Sequence, residues 1–566
     1  MRRVAGCLLA AALVACGGSE APGDAAVAEW YGTLEPFAAE AVYFVVTDRY
    51  VDGDPGNNQP GQGGPEWRSF DRPITDLEGR SGNIGYLGGD FRGLLEHAGH
   101  IADMGFTAVW ITPIVENPDQ AFSGGSRLGE GVFADHGKAG YHGYWGVNFF
   151  EVDEHLESPG VAFADLTREL GERHGLKTVL DIVCNHGSPS WTMPADQPQF
   201  GELYDADGTL VADHQNLPPA ELDPDGNALH AFFHDEPDLA QLSNLDDTNP
   251  AVLDYFVAAY LKWIGQGAAA FRVDTIRHMP HAYWKQFAER IRAEHPGFFM
   301  FGESFDYDAA NIAQHTWPEN GGISVLDFPG RQRINEVFAG GQPLARLPDY
   351  LHLDDGLYQN PYDLMTFYDN HDMPRMAADE AGFIDAHNWL FTSRGIPVIY
   401  YGSETAFRAG RPEHGGNRDY YGAERVAASA GHPVRQALAA IAAVRRDSVA
   451  LQRGLQVNLD FGTDTASFLR VFQHGGQAQT ALVLLNRGDA AAALPVTRYL
   501  SAGRWRDAQS GETFDVSADE ARLVVEVPAH GVRVLLFDAP VNDAALAARL
   551  DSLHAAARRG GSVDSE

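Results

Sequence analysis

Ala268-Ala269-Ala270-Phe271-Arg272-Val273-Asp274 is a small apolar run that ends in an arginine and, two places on, an aspartate. It reads as a buried strand whose end carries charge. Three more segments share that design. Asp181-Ile182-Val183-Cys184-Asn185-His186 closes the run 178–186, and Gly302-Glu303-Ser304 closes the run 298–304. Tyr368-Asp369-Asn370-His371-Asp372 closes the more polar run 363–372. Each places a carboxylate or imidazole where a strand ends, which is how a barrel of parallel strands builds a site at one mouth. Arg272 and Asp274 stand two apart, so a strand points them the same way. Carboxylates, an arginine and two histidines converging on one pocket point to acid/base and nucleophilic chemistry on a glycosidic bond.

Outward from these segments, strand-like runs recur at 41–48, 108–114, 178–186, 268–274, 298–304, 323–328, 363–372 and 397–404, with helix-like stretches between them. Eight alternating units with right-handed crossovers predict an α/β fold, a (β/α)8 barrel over residues 40–430. Residues 187–240 are rich in Pro, Asp, Gln and Asn and show little periodicity, so 142–240 is expected to form a subdomain inserted around the third strand. Past 430 the alternation stops. Short runs at 467–473, 480–487, 521–527 and 531–538 lie between turn residues and predict an antiparallel β-domain over 431–540. The tail, 541–566, places Leu546, Leu550 and Leu553 on one helical face.

The chain has 566 residues and a net charge of −37, from 41 basic and 78 acidic side chains. That balance excludes nucleic acid as a partner, because phosphate binding needs a basic surface. A neutral polymer meets no such repulsion. Arg2 and Arg3 precede a short apolar run that ends Leu13-Val14-Ala15-Cys16, the pattern of a lipoprotein signal. Residues 1–15 are expected to be removed, Cys16 to carry lipid, and 16–39 to act as a tether. The expected location is the cell envelope, on the outer-membrane or periplasmic side, with the lipid as the one membrane contact; plain secretion is the alternative. Of three cysteines, only Cys184 remains free in a processed chain, so no disulfide is expected. Nothing in the sequence sets an oligomeric state.

Taken alone, an aspartate at a strand end is ordinarily a helix cap, and an arginine near it a structural ion pair. All of these residues together, in this order, resemble the conserved regions of the α-amylase family of glycoside hydrolases, family 13. Ala139-Gly140-Tyr141-His142-Gly143-Tyr144-Trp145 and Arg277-His278-Met279-Pro280 are similar to its bacterial α-amylase and cyclodextrin glucanotransferase branch. The resemblance implies that Asp274 is the nucleophile, Glu303 the general acid/base, and Asp372 the carboxylate that grips sugar hydroxyls. It implies that Arg272, His142, Tyr144, His186 and His371 surround the reacting sugar, with Arg277, His278 and Phe305 as further substrate contacts. The implied activity is retaining cleavage of α-1,4-glucosidic bonds in starch or maltodextrins through a covalent glycosyl-enzyme. The alternative is a cyclodextrinase or a 4-α-glucanotransferase. Against cyclisation, Leu239-Ala240-Gln241-Leu242 lacks the aromatic residue of cyclising enzymes, and the chain has no room for their extra β-domains. Phe305 leaves scope for some transglycosylation.

The resemblance also implies calcium, at one or two sites built from hard oxygen ligands. Asp52, Asp54, Asn57 and Asn58 would form one with Gly88 and Asp90. Asn185 and the backbone carbonyl of His278 would form the other, with Asn244 standing where the family has an aspartate.

Overall fold

The computed structural model describes residues 30–75, 79–125, 135–194, 197 and 199–557. The expected signal, Cys16 and most of the tether lie outside the described residues. The barrel strands are β1 (Val42–Val45), β2 (Ala108–Ile111), β3 (Lys177–Ile182), β4 (Ala268–Val273), β5 (Phe299–Gly302), β6 (Ser324–Val325), β7 (Met365–Thr366) and β8 (Ile396–Tyr400). All are parallel, in the order β6-β5-β4-β3-β2-β1-β8-β7. A parallel bridge between Leu326 and Met365 joins the two ends. This is the eight-stranded barrel, and its strands are buried along nearly all of their length because helices cover the outer face.

Strands β6 and β7 are shorter than the runs that predict them. Asp327 leaves the sixth run to cap the helix Phe328–Phe338, accepting from the Gly330 amide at 2.9 Å, and Arg394 holds its other oxygen at 2.7 Å. The barrel therefore closes through one bridge instead of a full ladder.

The approach to β4 sets the position of the site. Helix α1 (Pro250–Gly265) starts with Asn249 capping the Ala251 amide and Pro250 in its first turn. It buries Val252, Phe256, Tyr260 and Trp263. It ends before Gly267, whose φ is +106° and where a Cβ would lie 2.4 Å from the Thr167 hydroxyl. Only glycine makes that turn without strain. Strand β4 then enters with Arg272 opposite Asp181 of β3 and Phe301 of β5.

The inserted subdomain carries a four-stranded sheet ordered Leu210–Asp213, Glu202–Tyr204, Asn148–Val152, Val115–Glu116. It thus begins before residue 142, because the loop after β2 supplies its edge strand. The C-terminal part is an antiparallel sheet in the order Leu455–Phe461, Thr465–His474, Gln477–Asn486, Gly531–Phe537, Gly503–Asp507, Thr513–Val516, with a second pair, Ala492–Val496 and Leu523–Val527. Helix α2 (Ala544–Ala557) packs on the first of these strands, with Leu546, Leu550 and Leu553 buried. Cys184 is free and buried. Among the described residues no helix is long and apolar enough to cross a membrane.

Candidate active site

Arg272 is fully buried at the C-terminal mouth of the barrel, and three carboxylates meet on it. Its Nη1 donates to Asp181 Oδ1 at 2.8 Å and to Asp274 Oδ1 at 2.6 Å. Its Nη2 stands 2.9 Å from Glu303 Oε2. Asp181, on the neighbouring strand, uses its second oxygen to accept from Trp110 Nε1 at 3.0 Å and from the Tyr144 hydroxyl at 2.8 Å. One carboxylate thereby ties β2, β3 and the inserted loop to the arginine. After Asp274 the chain turns sharply through Thr275, whose φ of +50° is costly for a β-branched residue.

The electrostatics follow from burial. Burial raises the Glu303 carboxyl well above the ordinary range; Arg272 pulls it down, and Asp372, Asp274 and Asp181 push it further up. The group is therefore held as an acid at neutral pH. Burial pushes Asp181 up to about 7 against the pull of Arg272. Burial also works against the charge on Arg272, but Asp181 and Glu303 keep it firmly cationic.

Tyr144, His142, His186, His371 and Asp372 converge on the same mouth. The Tyr144 ring stacks on His371, with centroids 5.4 Å apart and planes at 14°. His142 Nδ1 accepts the Tyr144 amide at 3.1 Å, which leaves its Nε2 to carry the proton. His371 Nε2 lies 3.3 Å from Asp372 Oδ2. Burial, joined by nearby cations, lowers His142 and His371, so both are neutral. Burial likewise lowers His186. The Nδ1 atoms of His186 and His371 are buried without a protein partner. Arg418, absent from the sequence reading, donates from Nη2 to Asp372 Oδ1 at 2.8 Å and from Nε to the His371 carbonyl at 3.0 Å.

On the far side of Glu303 the site is open. Phe305 is 42% exposed. Arg277 is half-exposed, donates to the Phe305 carbonyl and stands 3.8 Å from Asp306. A cavity of about 460 Å³ opens there, lined by Arg277, Met279, Ser304, Asp306 and His315 among others.

The loop Asp52 to Asn58 fits a hard cation. Asp52 Oδ1, Asn57 Oδ1 and Asn58 Oδ1 are buried and have no hydrogen-bond partner. Unpaired buried acceptors are unfavourable unless something satisfies them. Two of these side chains crowd Gly88 (φ +90°), where a Cβ would stand 2.4 Å from Asn58 Oδ1 and 2.8 Å from Asp52 Oδ2. Asp54 and Asp90 are differently employed. Asp54 Oδ1 caps its own turn at Gly56, and Asp90 accepts the amides of Gly53, Asp54 and Gly93. At the second expected group the structure adds a carboxylate. Asn244 donates its amide to the Glu236 carbonyl at 3.1 Å, which leaves its oxygen uncommitted by that bond. Asp238 accepts from Asn185 at 2.9 Å and sits 3.1 Å from His278 Nδ1. Close by, Ala240 adopts a left-handed φ of +45°, which sequence pattern does not announce.

A parallel eight-stranded barrel with an arginine binding two strand-end carboxylates defines a retaining glycosidase-type enzyme. The family model "Alpha amylase, catalytic domain" matches residues 44–438, and the chain belongs to the α-amylase family. A cyclomaltodextrin glucanotransferase of Paenibacillus macerans is 29% identical over 536 residues, covering 90% of this chain and 69% of its own. An α-amylase of Niallia circulans is 31% identical over 397 residues, covering 68% and 70%. A crystal structure described as the first cyclomaltodextrin glucanotransferase with a three-domain ABC distribution aligns with a TM-score of 0.70 at 28% identity, covering 88% of this chain and 99% of that one. The acarbose complex of Geobacillus thermoleovorans α-amylase has a TM-score of 0.65 at 24% identity, covering 89% and 99%, and shares the fold. A three-domain glucanotransferase removes the expectation that chain length alone argues against cyclisation. The family membership makes this an enzyme of retaining α-1,4-glucan processing.

Asp181 acts through Arg272 and Glu303, so its loss has a signature in pH. Asp181→Asn removes a negative charge that raises Glu303 and leaves Arg272 less neutralised; both changes lower the acid's pKa. The alkaline limb of the activity–pH profile is expected to move to lower pH, with kcat/KM down by about tenfold or more. An unmoved limb, in a variant with native circular dichroism, contradicts this role.

Proposed function

We propose that the enzyme hydrolyses α-1,4-linked glucans such as starch or maltodextrins by double displacement. Asp274 attacks the anomeric carbon while Glu303 gives its proton to the departing glycosidic oxygen. The C–O bond breaks, the acceptor chain leaves with that proton, and a glycosyl-Asp274 ester remains. Water then attacks the same carbon, Glu303 takes a proton from it, and Asp274 is released. The single observation behind this reading is the Arg272 guanidinium. One arm touches Asp274 and the other Glu303, which fits the roughly 5–5.5 Å separation that retention needs. Asp372 with Arg418, Tyr144 and the neutral His142, His186 and His371 would grip the donor sugar. Phe305, Arg277 and His278 would meet the acceptor chain.

Asp274→Asn is expected to lose several orders of magnitude on starch with the fold retained. Glu303→Gln should fail on the polymer yet keep part of its activity on an α-glucosyl fluoride, whose leaving group needs little protonation. More than about a tenth of wild-type turnover by Asp274→Asn, or equal loss on both substrates by Glu303→Gln, removes these assignments.

Calcium is proposed at the Asp52–Asn58 loop, held by Asp52, Asn57, Asn58 and the Gly88 carbonyl, with Asp90 bracing the loop. Asn185 with Asp238 offers a second, less complete set. Neither touches the reacting carbon, so the role is structural. Calcium at a hundredfold excess over its dissociation constant stabilises by about 2.7 kcal/mol. The melting temperature should fall after chelation and return with added calcium. Identical curves after confirmed metal removal count against both sites.

The lipoprotein-like pattern at Cys16 supports attachment to the cell envelope, where a polymer too large for the cytoplasm is met. Cells expressing the native gene should carry activity in the membrane fraction, and Cys16→Ser should release it. Wild type found wholly in the soluble fraction overturns the anchor.

A further inference from the structure

Among the described residues, Leu34, Phe305, Tyr307 and Val524 are the large apolar side chains left exposed, and two of them stand together just past Glu303. Exposed apolar residues scattered singly need no explanation, but an apolar pair rimmed by polar groups marks a ligand groove. The segment after Glu303 is two-sided. Phe305 and Tyr307 both rest on the fully buried Phe328, with ring centroids 4.9 and 5.9 Å from it. They meet each other edge to face, 6.0 Å apart with planes at 83°. Ser304 and Asp306, which alternate with them, line the open cavity instead. The turn that presents Tyr307 is fixed. Asp306 accepts from the Asp308 amide at 2.8 Å and from Asn311 Nδ2 at 3.0 Å. Asp308 in turn caps the helix Ala309–Ala313 at the Ala310 amide, 2.9 Å away. The Tyr307 hydroxyl accepts from Arg331 Nη1 at 3.2 Å, on the helix Phe328–Phe338. The ring is thus 39% exposed yet held at its backbone, its base and its tip. A platform fixed before binding loses little freedom when a ligand settles on it.

We propose that Tyr307 is a second stacking platform for the leaving chain. Phe305 carries one glucosyl ring and Tyr307 a ring further along, so the enzyme favours substrates that extend well past the bond that is cut. This rests on the proposed roles of Glu303 as acid and Phe305 as acceptor contact. Glu303 protonates the leaving oxygen, so the surface that continues outward from it receives the leaving chain. A glucosyl ring has C–H faces and a hydroxyl rim. The faces suit aromatic rings. The rim would find Asp306 and Arg277, which stand 3.8 Å apart along the polar side of the same segment. The angle between the two platforms sets the class of chain. An α-1,4-linked glucan curves, so its successive rings turn from one platform to the other. A flat, extended β-linked chain would meet only one of them.

The test uses the full-length enzyme on maltoheptaose and on p-nitrophenyl α-maltotrioside, whose leaving group is a single ring that ends short of Tyr307. Tyr307→Ala is expected to lower the ratio of kcat/KM for maltoheptaose to that for the aryl maltotrioside by about fivefold or more, chiefly through a higher KM for the heptaose. Tyr307→Leu, which keeps an apolar contact with Phe328 but offers no flat face, should show the same fall and serves if the alanine variant does not fold. Tyr307→Phe keeps the ring and should hold the ratio within about twofold. An unchanged ratio in the folded alanine or leucine variant overturns the platform and leaves the hydrolase reading intact. So does an equal loss on both substrates, which would mean that Tyr307 only braces Phe305. A fall in Tyr307→Phe as large as in Tyr307→Ala assigns the effect to the hydroxyl and overturns the platform too. Wild type that cleaves neither substrate removes the hydrolase reading and the platform with it.

Discussion

A buried guanidinium needs negative partners, and Arg272 takes them from three directions: Asp181 of β3, Asp274 at the end of β4 and Glu303 after β5. Four carboxylates, counting Asp372, outnumber the cations that face them, Arg272 and Arg418. The lowest-energy arrangement keeps a proton on one, and burial with its acidic neighbours pushes Glu303 well up in that direction. The acid of the reaction is thus prepared by the same charge that places the nucleophile. The fold serves this constraint. The β3–β4 register sets Asp181 against Arg272, and Asp181 reaches on to Trp110 and Tyr144, so strand order and subdomain position meet at one carboxylate.

Much of this was legible in the residues. Apolar strand runs located all eight barrel strands, because a buried parallel strand has to be apolar on both faces. Where polar residues intruded, at Asp327 and after Met365, the strands shortened, since those side chains were needed for a cap and for the mouth. In the C-terminal part, the runs with three or more aliphatic or aromatic residues close together read as strands. Gly503–Asp507 and Thr513–Val516 did not, because Arg504, Arg506 and Asp515 alternate with their buried residues.

The site divides along the same line. Residues at strand ends could be found from the strand pattern. Asp181 stood in a recognised segment, yet its partnership with Arg272 depends on register, which a single strand does not encode. Arg418 and Asp238 lie in loops whose course is set by glycines and left-handed turns. Nothing periodic marks them.

The account depends most on Asp274 and Glu303 lying close enough, on the arms of one guanidinium, for direct displacement by the enzyme. Proton NMR of the first product released from a maltooligosaccharide, recorded before mutarotation, reads this directly. The α-anomer is expected, because two displacements at the same carbon restore its configuration. A β-anomer would mean that water, not Asp274, attacks first, and would contradict the arrangement from which every other role was derived.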